Sequence, residues 1–202
     1  MAIYEKFVGA TRDDFLSLKD AQANYTLKYR DDFNFAYDVI DVLGTEKPDK
    51  LAMVWLSADK SVEKRFTFRD MMLWSNKAAN YLKSLGIKKG DRVMLVLKRH
   101  YQFWFSILAL HKLGAVAIPA TNQLLEKDFT YRFQAGKVKA ILCTADGDVS
   151  DAVDAAAANC PGLEHKILVG GKKDGWHDFN EEYTMYSSHF NRTEDSPCGE
   201  DP

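Results

Sequence analysis

Neither sign of charge dominates this chain: 27 Lys and Arg stand against 29 Asp and Glu, a formal net charge of -2 over 202 residues. A balanced surface excludes the electrostatic footprint of a nucleic-acid binder, so an anionic substrate would need a local basic site. Long apolar runs are missing as well. The longest, Phe103 to Leu110, falls well short of the ~20 residues that cross a bilayer, and no membrane span is expected. Met1-Ala2-Ile3-Tyr4-Glu5-Lys6 carries an early acid and no apolar core, unlike a secretory signal, and the expected location is cytoplasmic. Cysteine is scarce: Cys143, Cys160 and Cys198 are odd in number, far apart and without a Cys-x-x-Cys pair, which predicts free thiols in a reducing compartment. The histidines, at 100, 111, 165, 177 and 189, form no zinc spacing with a cysteine or with each other, and no metal site is expected. There is no internal repeat and no low-complexity segment.

What is present is ample core material, 46% hydrophobic and 12% aromatic, organised around Leu85 to Thr121. Gly86 and Gly90 mark a turn, and Arg92 to Leu97 is an apolar run too short for a helix. Phe103, Ile107 and Leu110, with Trp104 and Leu108, then recur at helical spacing until Gly114. Ala115 to Pro119 runs apolar again. Two such runs joined by one helix predict parallel neighbouring strands in an open sheet, because the connection is too long for a hairpin. Phe103, Trp104 and Phe105 read as core packing.

The flanks continue the pattern. Tyr4 to Tyr29 suggests a surface helix. Asn34 to Leu43 is an amphipathic helix with Asp31, Asp32 or Asn34 at its start and Gly44 at its end. Leu51 to Leu56 and Arg65 to Phe68 form a hairpin, and Thr67 with Asp70 has the spacing of a capping box for a helix that runs to Leu85. Beyond Thr121, helices over Leu124 to Ala135 and Asp148 to Ala158 alternate with β-runs at Val138 to Cys143 and Lys166 to Val169. The predicted class is α/β: an open, mainly parallel, doubly wound sheet with helices on both faces, plus an N-terminal helical segment and a hairpin. Residues 1–46 form the helical segment, 47–190 the α/β unit and 191–202 a linker.

Ligands of such sheets gather beyond the carboxyl ends of the strands. That selects Lys98-Arg99-His100, Ala120 to Gln123 and Thr144 to Asp148. The first could draw an anion to a helix N-terminus, or be a solvated charged loop. Thr121 and Asn122 could bond a ligand, or cap the next helix. Gly170-Gly171-Lys172-Lys173 lacks the outer glycine and hydroxyl of a phosphate loop and reads as a turn. Trp176-His177-Asp178 pairs imidazole with carboxylate but has no nucleophile at a set distance. No catalytic residue is assigned.

Several motifs carry a resemblance. They are Asn34-Phe35-Ala36-Tyr37-Asp38, Thr67-Phe68-Arg69-Asp70, Asn76-Lys77-Ala78-Ala79-Asn80, Gly90-Asp91-Arg92-Val93, Leu113 to Thr121, Asp128 with Tyr131-Arg132, and Gly175 to Phe179. In this order they resemble the acyl-adenylate-forming superfamily, specifically AMP-forming acyl-CoA synthetases of the medium-chain type. The resemblance implies a partial N-terminal domain of an adenylate-forming ligase that takes a short- or medium-chain carboxylic acid, ATP, Mg and CoA. The family's Ser/Thr/Gly-rich loop ending in Gly-x-Pro-Lys does not occur, and Thr193 to Pro202 resembles the approach to it. The 202 residues alone are therefore expected to be inactive, to bind no cofactor and to pair through an exposed apolar face. Alternatives are a non-catalytic interaction module, an aryl-CoA ligase or an amino-acid adenylation domain. Some relatives hold the nucleotide end of CoA with arginines near the 144–148 loop. Asp146, Asp148 and Asp151 stand there instead and would repel a phosphate, so that role is not carried over.

Overall fold

The computed structural model describes residues 3–7, 15–193, 196–198 and 201. The expected surface helix over Tyr4 to Tyr29 falls partly outside them. Its described part is a 3-10 turn, Ile3–Lys6, and a short helix α1, Leu18–Asn24, capped by Ser17 and with no buried residue.

The central β-run pairs as the β-α-β pattern requires. Strand β3 (Arg92–Val96), helix α4 (Gln102–Leu113) and strand β4 (Val116–Pro119) form one unit, with β3 and β4 parallel. Before it come the hairpin β1 (Leu51–Leu56) and β2 (Glu63–Thr67), antiparallel, and helix α3 (Phe68–Ser84). After it come α5 (Glu126–Gly136), β5 (Val138–Thr144), α6 (Val149–Ala157), β6 (His165–Val169), β7 (His177–Asp178) and α7 (Phe179–Glu182). The five-stranded sheet has the order β4-β3-β5-β6-β7, and every pairing in it is parallel. β7 escapes a periodicity reading because two residues carry no pattern.

Alternation along the strands divides the core. Val93 and Leu95 of β3, Ala140 and Leu142 of β5, and Ile167 and Val169 of β6 face α3, α4 and Phe179. Met94, Val96, Ile141 and Cys143 face Phe129 and Phe133 of α5 and Val149 and Val153 of α6. Both faces are covered, which is why these strands read as unbroken apolar runs.

Two local expectations change. The helix expected to stop at Gly44 continues: a π-wound stretch, Ala36–Asp41, runs into α2, Val42–Glu46. Gly44 serves instead for close approach, since a Cβ there would lie 2.9 Å from Met72 Cβ and 3.0 Å from the Phe68 carbonyl oxygen. Asn34 starts this helix as expected, its Oδ1 accepting the Ala36 and Tyr37 N–H groups at 3.0 and 3.3 Å. Phe105 is buried, but Trp104 is half exposed. The capping box is complete, Thr67 N–H to Asp70 Oδ2 at 2.8 Å and Asp70 N–H to Thr67 Oγ1 at 3.2 Å. Asp thus closes it as Glu would.

One buried charge organises the helical layer. The Lys112 ammonium on α4 is fully buried and donates to Asp41 Oδ1 at 2.7 Å, Asn76 Oδ1 at 2.6 Å and Ser75 Oγ at 3.0 Å. Three protons meet three acceptors, so no bond of the cation is left unmade. Burial lowers its pKa and raises that of Asp41, and their attraction opposes both shifts. The Tyr37 hydroxyl, one turn before Asp41, donates to the Lys112 carbonyl at 3.3 Å. We expect Lys112→Met to lower unfolding free energy by about 3 kcal/mol, because Asp41 keeps its partly buried charge without a partner. Urea denaturation measures this, and a loss below about 0.5 kcal/mol would show that the pair adds nothing.

Candidate functional site

The chain places β4 on one side of β3 and then returns to place β5 on the other. Between the carboxyl ends of β3 and β5 the connections diverge, which is the position where doubly wound sheets take their ligands. Three loops meet there, after β3, β5 and β6.

His100 is the inward member of the basic triplet, and Lys98 and Arg99 are exposed. Its Nε2 lies 2.7 Å from Thr144 Oγ1, at the end of β5, and 3.9 Å from Asp146 Oδ2. Thr144 Oγ1 also accepts the Asp146 N–H at 3.1 Å. Burial holds the His100 pKa below its ordinary value, Asp146 opposes this and Lys98 adds to it. A neutral ring with an unprotonated Nε2 can accept the threonine proton. Gly170, at φ +90, lies against the ring, where a Cβ would come 3.2 Å from His100 Cε1. A Cβ on Gly171 would come 2.8 Å from that of Ala145. The Gly170-Gly171 pair is thus a turn, as the sequence suggests, but one that lets the β6 loop close on the other two.

Lys98 and Arg99 flank this cluster from solvent. The Arg99 carbonyl accepts the Trp55 indole N–H at 2.5 Å, which ties the hairpin to the crevice rim. Tyr101 packs edge-on to Trp55, with 5.3 Å between ring centroids. Thr121 and Asn122 stand apart, beyond β4, and neither caps α5. Thr121 Oγ1 accepts the Gln123 N–H at 3.3 Å, while the cap of α5 is the Asp128 carboxylate, which takes the Leu125 N–H at 3.1 Å. The acidic side chain wins this role because it also faces the positive end of the helix dipole.

His177 Nδ1 lies 3.1 Å from Glu182 Oε2, and Asp178 Oδ1 accepts the Glu181 N–H at the start of α7. The adjacent imidazole and carboxylate therefore hold separate partners. Burial pushes the Cys143 thiol up to about 12, which leaves it unreactive, and all three cysteines are free. Among the described residues no group of three or more His, Cys, Asp or Glu side chains could hold a metal, and no helix is long and apolar enough to cross a membrane. Sequence reasoning found His100 by its loop. The link between His100, Thr144 and Gly170, which are distant along the chain, has no local signal.

The architecture defines an α/β protein of the doubly wound class, with a polar cluster over its switch point. The chain belongs to the AMP-binding enzyme family, whose model matches residues 42–201. It is 40% identical over 156 residues to acyl-coenzyme A synthetase ACSM5, mitochondrial, of Rattus norvegicus, covering 74% of this chain and 26% of that protein. To ACSM3, mitochondrial, of Mus musculus it is 33% identical over 186 residues, covering 89% of this chain and 32% of the relative. A crystal structure of the anthranilate CoA ligase AuaEII in complex with anthranoyl-AMP superposes with a TM-score of 0.70 at 21% identity, over 82% of this chain and 30% of the ligase. That likeness concerns the fold. The chain spans about a quarter to a third of the length of these relatives.

His100, His111 and His165 are all held below the ordinary imidazole pKa, in each case chiefly by burial. A depressed histidine pKa means that the unfolded chain binds the proton more readily. Stability is then full above the unfolded value of about 6.5 and falls as pH drops below it, until the folded pKa is passed. We expect the urea midpoint to fall between pH 7 and pH 5, with a shallower slope in His100→Gln. A midpoint that rises on acidification would contradict the burial of these rings.

Proposed function

We propose that the protein contributes to an AMP-forming acyl-CoA synthetase that activates a short- or medium-chain carboxylic acid with ATP and Mg and passes the acyl group to CoA. The observation that carries this is the family match across residues 42–201, together with 40% identity to an acyl-coenzyme A synthetase. The chemistry is coherent. A carboxylate is a poor acyl donor because oxide would have to leave. Adenylation exchanges oxide for a phosphate leaving group, with pyrophosphate released, and the CoA thiol then displaces AMP.

The residues present do not by themselves fit a nucleotide phosphate. The inward group of the crevice is His100, neutral through burial and engaged with Thr144, and Asp146 stands 3.9 Å from it. No step is therefore assigned to these side chains. What they supply on this reading is a rigid wall, with the exposed cations Lys98 and Arg99 at its rim. Thr121 and Asn122 line a different part of the same end of the sheet. The free thiols suit a reducing compartment, the cytoplasm expected from the sequence or the mitochondria named for the relatives.

Phe35, Val54, Leu56 and Trp104 stand about half exposed. Phe35, Val54 and Trp104 border an apolar cleft of about 510 Å³ between β1 and α4. We propose that this face is covered in the whole enzyme and pairs two copies of the isolated chain. Titration of the 202-residue chain with ATP is expected to show no micromolar binding. The full-length enzyme should release pyrophosphate from ATP with at least one acid of a carboxylic acid panel. Micromolar ATP binding by the isolated chain would overturn the reading that its residues do not fit a nucleotide phosphate. No pyrophosphate release with any acid of the panel would overturn the synthetase reading.

A further inference from the structure

Two motifs that resemble family patterns, Asn34 to Asp38 and Asn76 to Asn80, touch nothing in the crevice. Both converge on the last described stretch of chain. Beyond the short 3-10 turn Tyr183–Met185, residues 186–193 form no regular structure, so their carbonyls have no ladder of their own. Side chains from one face of α3 supply the donors. Lys77 Nζ donates to the carbonyls of Thr184 at 2.6 Å and Tyr186 at 2.9 Å. Asn76 Nδ2 reaches that of Ser188 at 2.9 Å, and Asn80 Nδ2 those of Ser187 at 2.8 Å and His189 at 2.9 Å. Three side chains thus take five carbonyls within residues 184–189.

The other motif fastens the far end. Arg192 pairs with Asp38 Oδ1 at 2.8 Å and donates to the Asp32 carbonyl. Asn34 Nδ2 reaches the Pro197 carbonyl at 3.1 Å, and Pro197 packs so closely on Gly114 that a Cβ there would lie 2.9 Å away. Asn76 links this strap to the core, because its Oδ1 accepts the buried Lys112 ammonium while its Nδ2 holds Ser188.

We propose that Asn76, Lys77 and Asn80 are positioning residues. They clamp residues 184–189 by their carbonyls and so fix the path along which the chain leaves the sheet toward the phosphate-gripping loop that the synthetase reading requires. The consequence for catalysis rests on that reading, but the clamp does not. Carbonyl capture by side chains suits such a segment, since it fixes the backbone whatever residues occupy the strap and leaves their side chains free.

Asn76→Asp and Asn80→Asp keep volume but replace the donating amide by an anion facing carbonyl oxygens, and Asp at 76 can still accept Lys112. Lys77→Met keeps the stem without the charge, and Lys77→Arg restores a donor. Amide hydrogen exchange on this chain should rise about tenfold at Tyr186 and His189, whose N–H groups bond the Tyr183 carbonyl and Ser187 Oγ within the clamped stretch, for the two Asp variants and for Lys77→Met, with β3 and β5 unchanged and Lys77→Arg near the parent. In the full-length enzyme the same variants should lower kcat for pyrophosphate release about tenfold, with KM for the acid unchanged. Unaltered exchange in the strap overturns the clamp, and raised exchange with unaltered pyrophosphate release overturns the positioning role. Should Asn76→Asp also lose protection in the sheet, Lys77→Met and Asn80→Asp, which lie outside the core, decide. If the unsubstituted enzyme releases no pyrophosphate, the synthetase reading fails, and exchange alone judges the clamp.

Discussion

A cation with no access to water has to find every one of its partners inside the protein, and Lys112 does. Its three bonds reach the π-wound helix through Asp41 and the long helix α3 through Ser75 and Asn76. The helical layer over one face of the sheet is therefore held by direction as well as by apolar contact. Hydrophobic burial is non-directional and would accept α3 and α4 in several relative rotations. A saturated ammonium accepts one.

From that layer the order passes in two directions. Toward the sheet, α4 buries Phe105, Leu108 and Ala109 against strands that are covered on both faces. This fixes where β3 ends and hence where His100 stands. Outward, Asn76 carries the same network to the carbonyl of Ser188, so the irregular stretch after α7 is referenced to the core. The loops after β3 and β5 and the stretch of residues 184–189 thus share one origin although they are separate in space.

The motifs that betray kinship are mostly not chemical. Thr67 with Asp70 is a cap, Asn34 is a cap and a tether, Gly114 accommodates Pro197, and Asp128 caps α5. Family resemblance in this part of the chain is a resemblance of joints. It identifies the AMP-binding enzyme family through residues that cap, tether and make room for the backbone.

Much of this was legible in one dimension. Runs such as Val93 to Val96 and Val138 to Cys143 are apolar on both faces, and the spacing between them forces a parallel crossover, so the order of elements and the class of sheet follow from local pattern. The cap of Thr67 with Asp70 is legible for the same reason, since both partners lie within one turn, whereas α5 is capped by Asp128 and not by Thr121 or Asn122, which the sequence offered. What only the folded chain decided depends on residues far apart in sequence. Nothing local marks Lys112, in the last turn of α4, for burial until Asp41 and Asn76 arrive around it, and His100 reads as part of a basic loop until Thr144 and Gly170 close on it. Trp104 reads as core until the layer turns it outward. Chain pattern reports which face of an element is apolar. It does not report which distant polar group will be waiting there, and in this protein those distant polar groups set the register.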